Sequence, residues 1–278
     1  MSARILLALL VCLSSITANA KTLFFEDFED APLGKYSKPE LARAFPNPKW
    51  DMGIDQGCVD IVKALDGKAM RINNNSGAPY CLNGAMWRKP IPGKVREFYL
   101  SFDVKWDWEP CGGNRQGKFM GVCGGNCPSG NMDPSGGWMV RTHSGSANCH
   151  SYVHWDGIEH TLGYHWTNGW RKGTRYHTVQ YIKLNDPAKS DGELKVWLNG
   201  NLVRSQSNIK YQKQAYDLEW LMIEANITGP GKGLIGAGPN YSYWDNIRLY
   251  TNPADDKDSH PPIEVAPSIP SGVAIQKQ

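Results

Sequence analysis

The sequence predicts an all-β protein folded as a β-sandwich or jelly roll. Short segments with a two-residue apolar alternation recur along most of the chain. Turn residues separate them, and the 278 residues include 29 glycines and 18 prolines. No segment carries the 3.6-residue apolar period of a helix of useful length.

The elements follow in order. Residues 23–28 form a first strand, and residues 38–44 suit one turn of helix. Residues 59–63 and 69–73 are short strands around the turn pair Asp66-Gly67. Residues 97–106 place Phe98, Leu100, Phe102 and Val104 on one face and Tyr99, Ser101, Asp103 and Lys105 on the other, the mark of a half-buried strand. Three further strands surround Gly117–Gly121, Gly137–Arg141 and Tyr152–His154, with Lys118 at the head of a short one. Residues 176–184 alternate again. Residues 194–198 and 201–204 flank Asn199-Gly200, a favoured hairpin dipeptide. Residues 218–227 and 241–250 are the last strong strands. Many strands joined by turns, with no βα alternation and no internal repeat, favour a sandwich.

Residues 1–20 read as an export signal: Arg4, an apolar run over residues 5–11, then Ala18-Asn19-Ala20 as a small-x-small cleavage site. The apolar run is too short to span a bilayer, and no later stretch is long enough. Bulky Val11 before Cys12 argues against lipidation there. The mature domain is expected to cover residues 21–250 and to be secreted. Residues 251–278 carry Pro253, Pro261, Pro262, Pro267 and Pro270 and few large apolar groups, so an extended or disordered tail is expected.

Beyond Cys12 the cysteines are Cys58, Cys81, Cys111, Cys123, Cys127 and Cys149, an even set that suits disulfides in an exported chain. Cys58 with Cys81 is the favoured pair, and the other four are expected to clamp loops around the site. The spacing Cys123-x-x-x-Cys127, with His150 after Cys149, leaves zinc as the competing reading. Asn74, Asn226 and Asn240 head glycosylation sequons. A formal net charge of +3, without a basic run, does not suggest a nucleic-acid partner. The 11 tryptophans serve either core packing or sugar stacking, with packing the commoner use.

The chemistry concentrates between Gly117 and His154. Residues two apart in a strand share a face, so Met139, Arg141 and His143 point one way, and Tyr152 and His154 share a face as well. Lysine and arginine can hold a carboxylate, while tyrosine and histidine can move protons. That combination suits an acidic sugar.

These residues resemble the core motif of family 14 polysaccharide lyases and of the related family 20 glucuronan lyases. The likeness runs through Gly117-Lys118-Phe119-Met120-Gly121, a Gly-rich loop, Gly137-Trp138-Met139-Val140-Arg141 and Tyr152-Val153-His154. It continues in Tyr176-His177-Thr178-Val179-Gln180-Tyr181, in Asp191-Gly192-Glu193-Leu194-Lys195-Val196-Trp197, and in Trp244-Asp245-Asn246-Ile247. It covers about residues 23–250, and the order of the motifs is more specific than any one of them. The resemblance implies a concanavalin-A-like jelly roll and β-elimination on a 1,4-linked polyuronate, alginate or glucuronan. It puts the essential lysine on Lys118, the strand arginine on Arg141 and the first tyrosine of a pair on Tyr152. Two positions depart: Met139 stands where the family has serine, and His154 where it has the second tyrosine.

On this reading Lys118, Arg141, Tyr152 and His154 are catalytic, with Tyr152 first as base and acid and His154 the alternative. Asn114, Gln116, Met139 and His143 are candidate substrate contacts. The partner is an acidic polysaccharide, and the protein is expected to be a monomer. No cofactor is required, and a structural calcium near Glu26, Glu29 and Asp245 is a candidate. A glycosidase would need two flanking carboxylates, and the Glu-x-Asp-x-x-Glu strand signature of laminarinase-like enzymes is absent. Asp107-Trp108-Glu109 comes nearest, beside Pro110 at a strand end. A sugar-binding module without turnover is the main rival, because one fold hosts many functions.

Overall fold

The structure, a computed structural model, describes residues 21–74, 81, 84–111, 116–125, 137–144, 149–155, 162–187, 189–228 and 240–253. The expected leader at residues 1–20 and the tail beyond residue 253 lie outside these residues. In chain order the elements begin with β1 (Thr22–Glu26), β2 (Gly34–Lys35), α1 (Lys38–Ala44), β3 (Lys49–Met52), β4 (Val59–Ala64) and β5 (Gly67–Asn73). Next come β6 (Ala85–Pro90), β7 (Glu97–Trp106), β8 (Gln116–Gly125), β9 (Gly137–Ser144), β10 (Cys149–Trp155) and β11 (Leu162–His165). The last are β12 (Arg175–Lys183), β13 (Gly192–Leu198), β14 (Asn201–Ile209), β15 (Trp220–Thr228) and β16 (Tyr241–Tyr250).

The strands form two antiparallel sheets, the jelly-roll sandwich expected from the alternation. One runs β14-β13-β12-β7-β16-β5-β4-β2, with β1 also paired to β16. The other runs β11-β10-β9-β8-β15-β6-β3. The inner faces meet in one core. Phe98, Leu100, Phe102, Val104 and Trp106 of β7 lie against Phe119 and Val122 of β8, Trp138 and Val140 of β9 and Val153 of β10. Trp87, Trp106, Trp138, Trp166, Trp170 and Trp244 are fully buried, so packing claims most of the tryptophans the structure describes. Burying a large apolar side chain contributes roughly 1.5–3 kcal/mol. Three of these rings also hydrogen-bond: the indole N–H of Trp166 donates to Ser151 Oγ at 3.0 Å, that of Trp170 to Thr178 Oγ1 at 3.0 Å and that of Trp244 to Ser242 Oγ at 2.9 Å.

Two buried polar contacts tie the sheets together. Gln180 of β12 donates to Thr142 Oγ1 of β9 at 3.0 Å. Asn74 donates to the Ala225 carbonyl at 2.9 Å and accepts from Ser242 Oγ at 2.8 Å. Asn74 and Asn226 are both buried, so neither sequon offers a surface asparagine. The helix opens on Ser37, whose backbone N–H donates to Glu40 Oε2 at 2.7 Å, and it buries Leu41. Asn199 and Gly200 have φ of 49° and 77°, the left-handed pair a two-residue hairpin between β13 and β14 requires.

The cysteines form bridges. Cys58 joins Cys81, the pair expected because both lie in the N-terminal third, and Cys111 joins Cys149. Cys123 is disulfide-bonded too. These sulfurs are therefore not thiolate ligands, and the zinc reading loses its half-site. The calcium candidates are each engaged locally. Glu26 Oε1 accepts from the Phe28 N–H at 2.8 Å, Glu29 Oε1 from the Lys68 N–H at 2.6 Å, and Asp245 Oδ1 from the Asn246 N–H at 2.7 Å. Among the described residues no three His, Cys, Asp or Glu side chains converge as an ion would need, and these three carboxylates do not fit a common ligand set. No helix among them is long and apolar enough to cross a membrane.

Candidate active site

The outer face of the β11-to-β3 sheet carries the candidate residues in three cross-strand rows. Antiparallel partners share a face. The first row pairs Asn226 of β15 with Lys118 of β8, then His143 of β9, His150 of β10 and His165 of β11. The second runs Gly121, Arg141, Tyr152 and Gly163. The third runs Trp220, Cys123, Met139 and His154.

The rows exist because two strands are bulged. Between the first and second rows β8 takes three steps, from Lys118 to Gly121, while β9 takes two, from His143 to Arg141. β15 in turn takes three steps, from Met222 to Ala225, against two in β8. An extra residue in one strand re-aims its side chains, and bulges are common beside active sites. Lys118 thus lies within a ten-residue strand rather than at the head of a short one.

Two positions of the second row are glycine. A Cβ on Gly121 would lie 2.5 Å from Arg141 Cβ, so Arg141 packs directly over that backbone, and one on Gly163 would lie 3.2 Å from the His150 ring, a tight contact.

Charge is concentrated here. Arg141 is 8% exposed, and its Nη1 lies 3.5 Å from Oε2 of Glu224, which is 3% exposed. Arg88 of β6, paired with Met222, is buried nearby, and burial lowers its guanidinium to about 10; Glu224 resists this shift and Arg141 adds to it. Burial and then Arg141 bring the Lys118 ammonium below the usual lysine range, with Glu224 pulling the other way. Burial holds the His143 imidazole well below its ordinary value, helped by Arg141, His150 and Lys118. Among the described residues, Lys118, Arg88 and Arg141 lie around Glu224, and His143 is neutral near pH 7. Clustered cations of this kind favour a nearby anion.

The sequence-predicted residues divide. Lys118, Arg141, Tyr152 and His143 occupy adjacent positions in the first two rows. Gln116 is the first residue of β8 and pairs with Thr228. Met139 packs with Cys123 and Met222 against Trp220, an apolar patch at the far end of the face, and His154 pairs with Met139. Asn114 lies outside the described residues. Glu224 and Arg88 were missed. Their signal was present: a charged residue inside an apolar strand run is costly unless paired.

Comparison with known proteins bears on the fold. No protein-family model and no curated protein matches the sequence. Solved structures do match. A variant of the alginate lyase Aly36B in complex with alginate trisaccharide superposes with a TM-score of 0.63 at 19% identity, covering 81% of this chain and 96% of that one. The PL-14 alginate lyase from Aplysia kurodai gives 0.62 at 17% identity, over 84% of this chain and 100% of that one. The endo-β-1,4-glucuronan lyase from Trichoderma reesei gives 0.56 at 12% identity, over 84% and 98%. The chain has the jelly-roll fold of these lyases.

Proposed function

We propose that the protein is a secreted polysaccharide lyase that cleaves a 1,4-linked polyuronate, alginate or glucuronan, by β-elimination. The observation that carries this reading is Arg141, buried and ion-paired with Glu224, directly opposite Tyr152 and one row from Lys118. The shared fold supports it, since neighbours with that fold include alginate and glucuronan lyases. The disulfides support export.

The reaction removes the C5 proton of a uronate, forms the C4–C5 double bond and breaks the C4–O4 bond, and the leaving O4 takes up a proton. Negative charge builds on the carboxylate as the C5 proton departs. Arg141 binds that carboxylate through its planar fork and stabilises the enolate-like state. Glu224 braces the guanidinium from the protein side. Lys118 supplies a second positive charge. A phenol needs nearby cations to act as a base near neutral pH, and Tyr152 sits in the row that has them. Tyr152 takes the C5 proton and returns one to O4. His154, one row away opposite Met139, is the alternative proton carrier. No metal enters the scheme, and a monomer suffices.

Ultraviolet absorbance during incubation with polymannuronate, polyguluronate, glucuronan, pectate and neutral β-glucans tests the proposal. Rising absorbance on one uronan, from the unsaturated product end, is the expected result. New reducing ends without that absorbance would make the protein a hydrolase. Polymer binding with no cleavage would make it a sugar-binding module.

A further inference from the structure

We propose that His143, His150 and His165 form a row of additional sugar subsites, in which the uronate residues next to the reacting one are held. The inference rests on the polyuronate reading above and extends it along one direction. The three histidines lie on three successive strands in one cross-strand row that starts at Lys118. Their rings follow one another at centroid distances of 5.5 Å and 5.1 Å. The spacing follows from the sheet, since neighbouring strands lie about 4.8 Å apart. That step is comparable to the length of one sugar ring in an extended 1,4-linked chain. A polymer crossing the strands would therefore meet about one imidazole per residue.

Exposure grades along the row. His143 is buried at the centre, His150 is half-buried, and His165 is exposed on the edge strand. A cleft that opens from the reacting centre toward β11 has this profile. Gly163 of β11 lies beside the row, where a Cβ would lie 3.2 Å from the His150 ring. Three rings in a line, rather than converging on a point, suit an extended ligand better than an ion.

Imidazole fits the task. Neutral, it offers one donor and one acceptor to sugar hydroxyls; protonated, it offers two donors to a carboxylate. A row of lysines would instead add permanent charge beside Lys118 and Arg141. The histidines give contact along the chain while the strongest positive charge stays at the reacting residue.

The test is calorimetric binding of saturated oligouronates two to six residues long. It is done in a Tyr152→Phe background, which keeps the aromatic ring and slows turnover under the proposed mechanism. Affinity is expected to rise with length. Adding His150→Gln or His165→Gln should cost about tenfold for the longer oligomers, the size of a lost hydrogen bond to a charged group. The disaccharide should change much less. His165 is exposed at an edge, so its substitution tests the row without threatening the fold. Length-dependent binding that both substitutions leave intact would overturn the subsites while leaving the lyase reading in place. No binding of any oligouronate, with no cleavage by the unsubstituted protein, would overturn both.

Discussion

Arg141 is buried, ion-paired with Glu224 and set opposite Tyr152, so its proposed role rests on geometry as well as charge. Lysine at this position would keep a positive charge but lose the planar fork that grips two carboxylate oxygens. Arg141→Lys and Arg141→Ala should both lower kcat/KM, the alanine variant by roughly 10²–10³-fold, the usual cost of removing one preorganised transition-state contact. Full activity in Arg141→Lys would mean that the fork is not used. Lys118 gives a prediction in pH. Burial and Arg141 lower its ammonium below the usual lysine range, so its charge is lost earlier as pH rises. Uronan affinity should fall on the alkaline side below that range, and Lys118→Arg should move the fall to higher pH. A binding profile against pH, with the variant superimposable on the original, would remove Lys118 from the carboxylate site.

At the scale of elements, the paired bulges in β8 and β15 set the site, and they also limited what could be read from the sequence. Residues 218–227 read as a strand, but the two-residue alternation gave no sign that an extra residue in β15 sets Glu224 against Arg141. Arg88 lies in β6, which lacks the alternation of β7, so no strand was read there. The strands with clean alternation were legible nearly to their ends: β7 and β16 match their expected bounds residue for residue. Arg141 and Tyr152 were legible because β9 and β10 pair without a bulge, so simple alternation puts them on one face. Glu224→Gln should therefore destabilise the fold by on the order of 3 kcal/mol, because it leaves buried guanidinium charge without its carboxylate. Adding Arg88→Met should recover part of that loss in denaturant titration.

The opposite sheet holds a second charged element, with the reverse pH signature. Asp245 of β16 pairs directly with Asp103 of β7. Asp103 is well served, at 2.6 Å from Arg175 and 2.8 Å from His177 Nδ1. Asp245 is pushed up to about 7, chiefly by burial, with Asp103 adding to the shift and the Asn246 N–H opposing it. A carboxyl whose folded value lies above its unfolded one holds its proton longer when folded, so stability falls as pH rises from about 4 toward 7. Asp245→Asn removes that penalty. Its melting temperature should match the original near pH 4 and exceed it at pH 8. A gain that is equal at both values would point to packing rather than to titration.

For the whole molecule, the two fully described disulfides do different work. Cys58–Cys81 joins the segment before β4 to the one before β6, and neither carries a candidate catalytic residue. Cys111–Cys149 joins the segment after β7 to the first residue of β10, next to His150 and three residues before Tyr152. It closes a loop with a sequence separation of 38, for which the chain-entropy account gives about 4 kcal/mol. It also anchors the start of the strand that carries Tyr152. Replacing either pair with serine should lower the melting temperature. Only loss of Cys111–Cys149 should also reduce kcat at a temperature where the fold survives, because β10 then has one fewer fixed point beside Tyr152. Equal losses of kcat in the two variants, scaling with melting temperature, would assign both bridges to stability alone. A selective loss would show that the covalent frame of this sandwich holds the reacting strand in place as well as the fold.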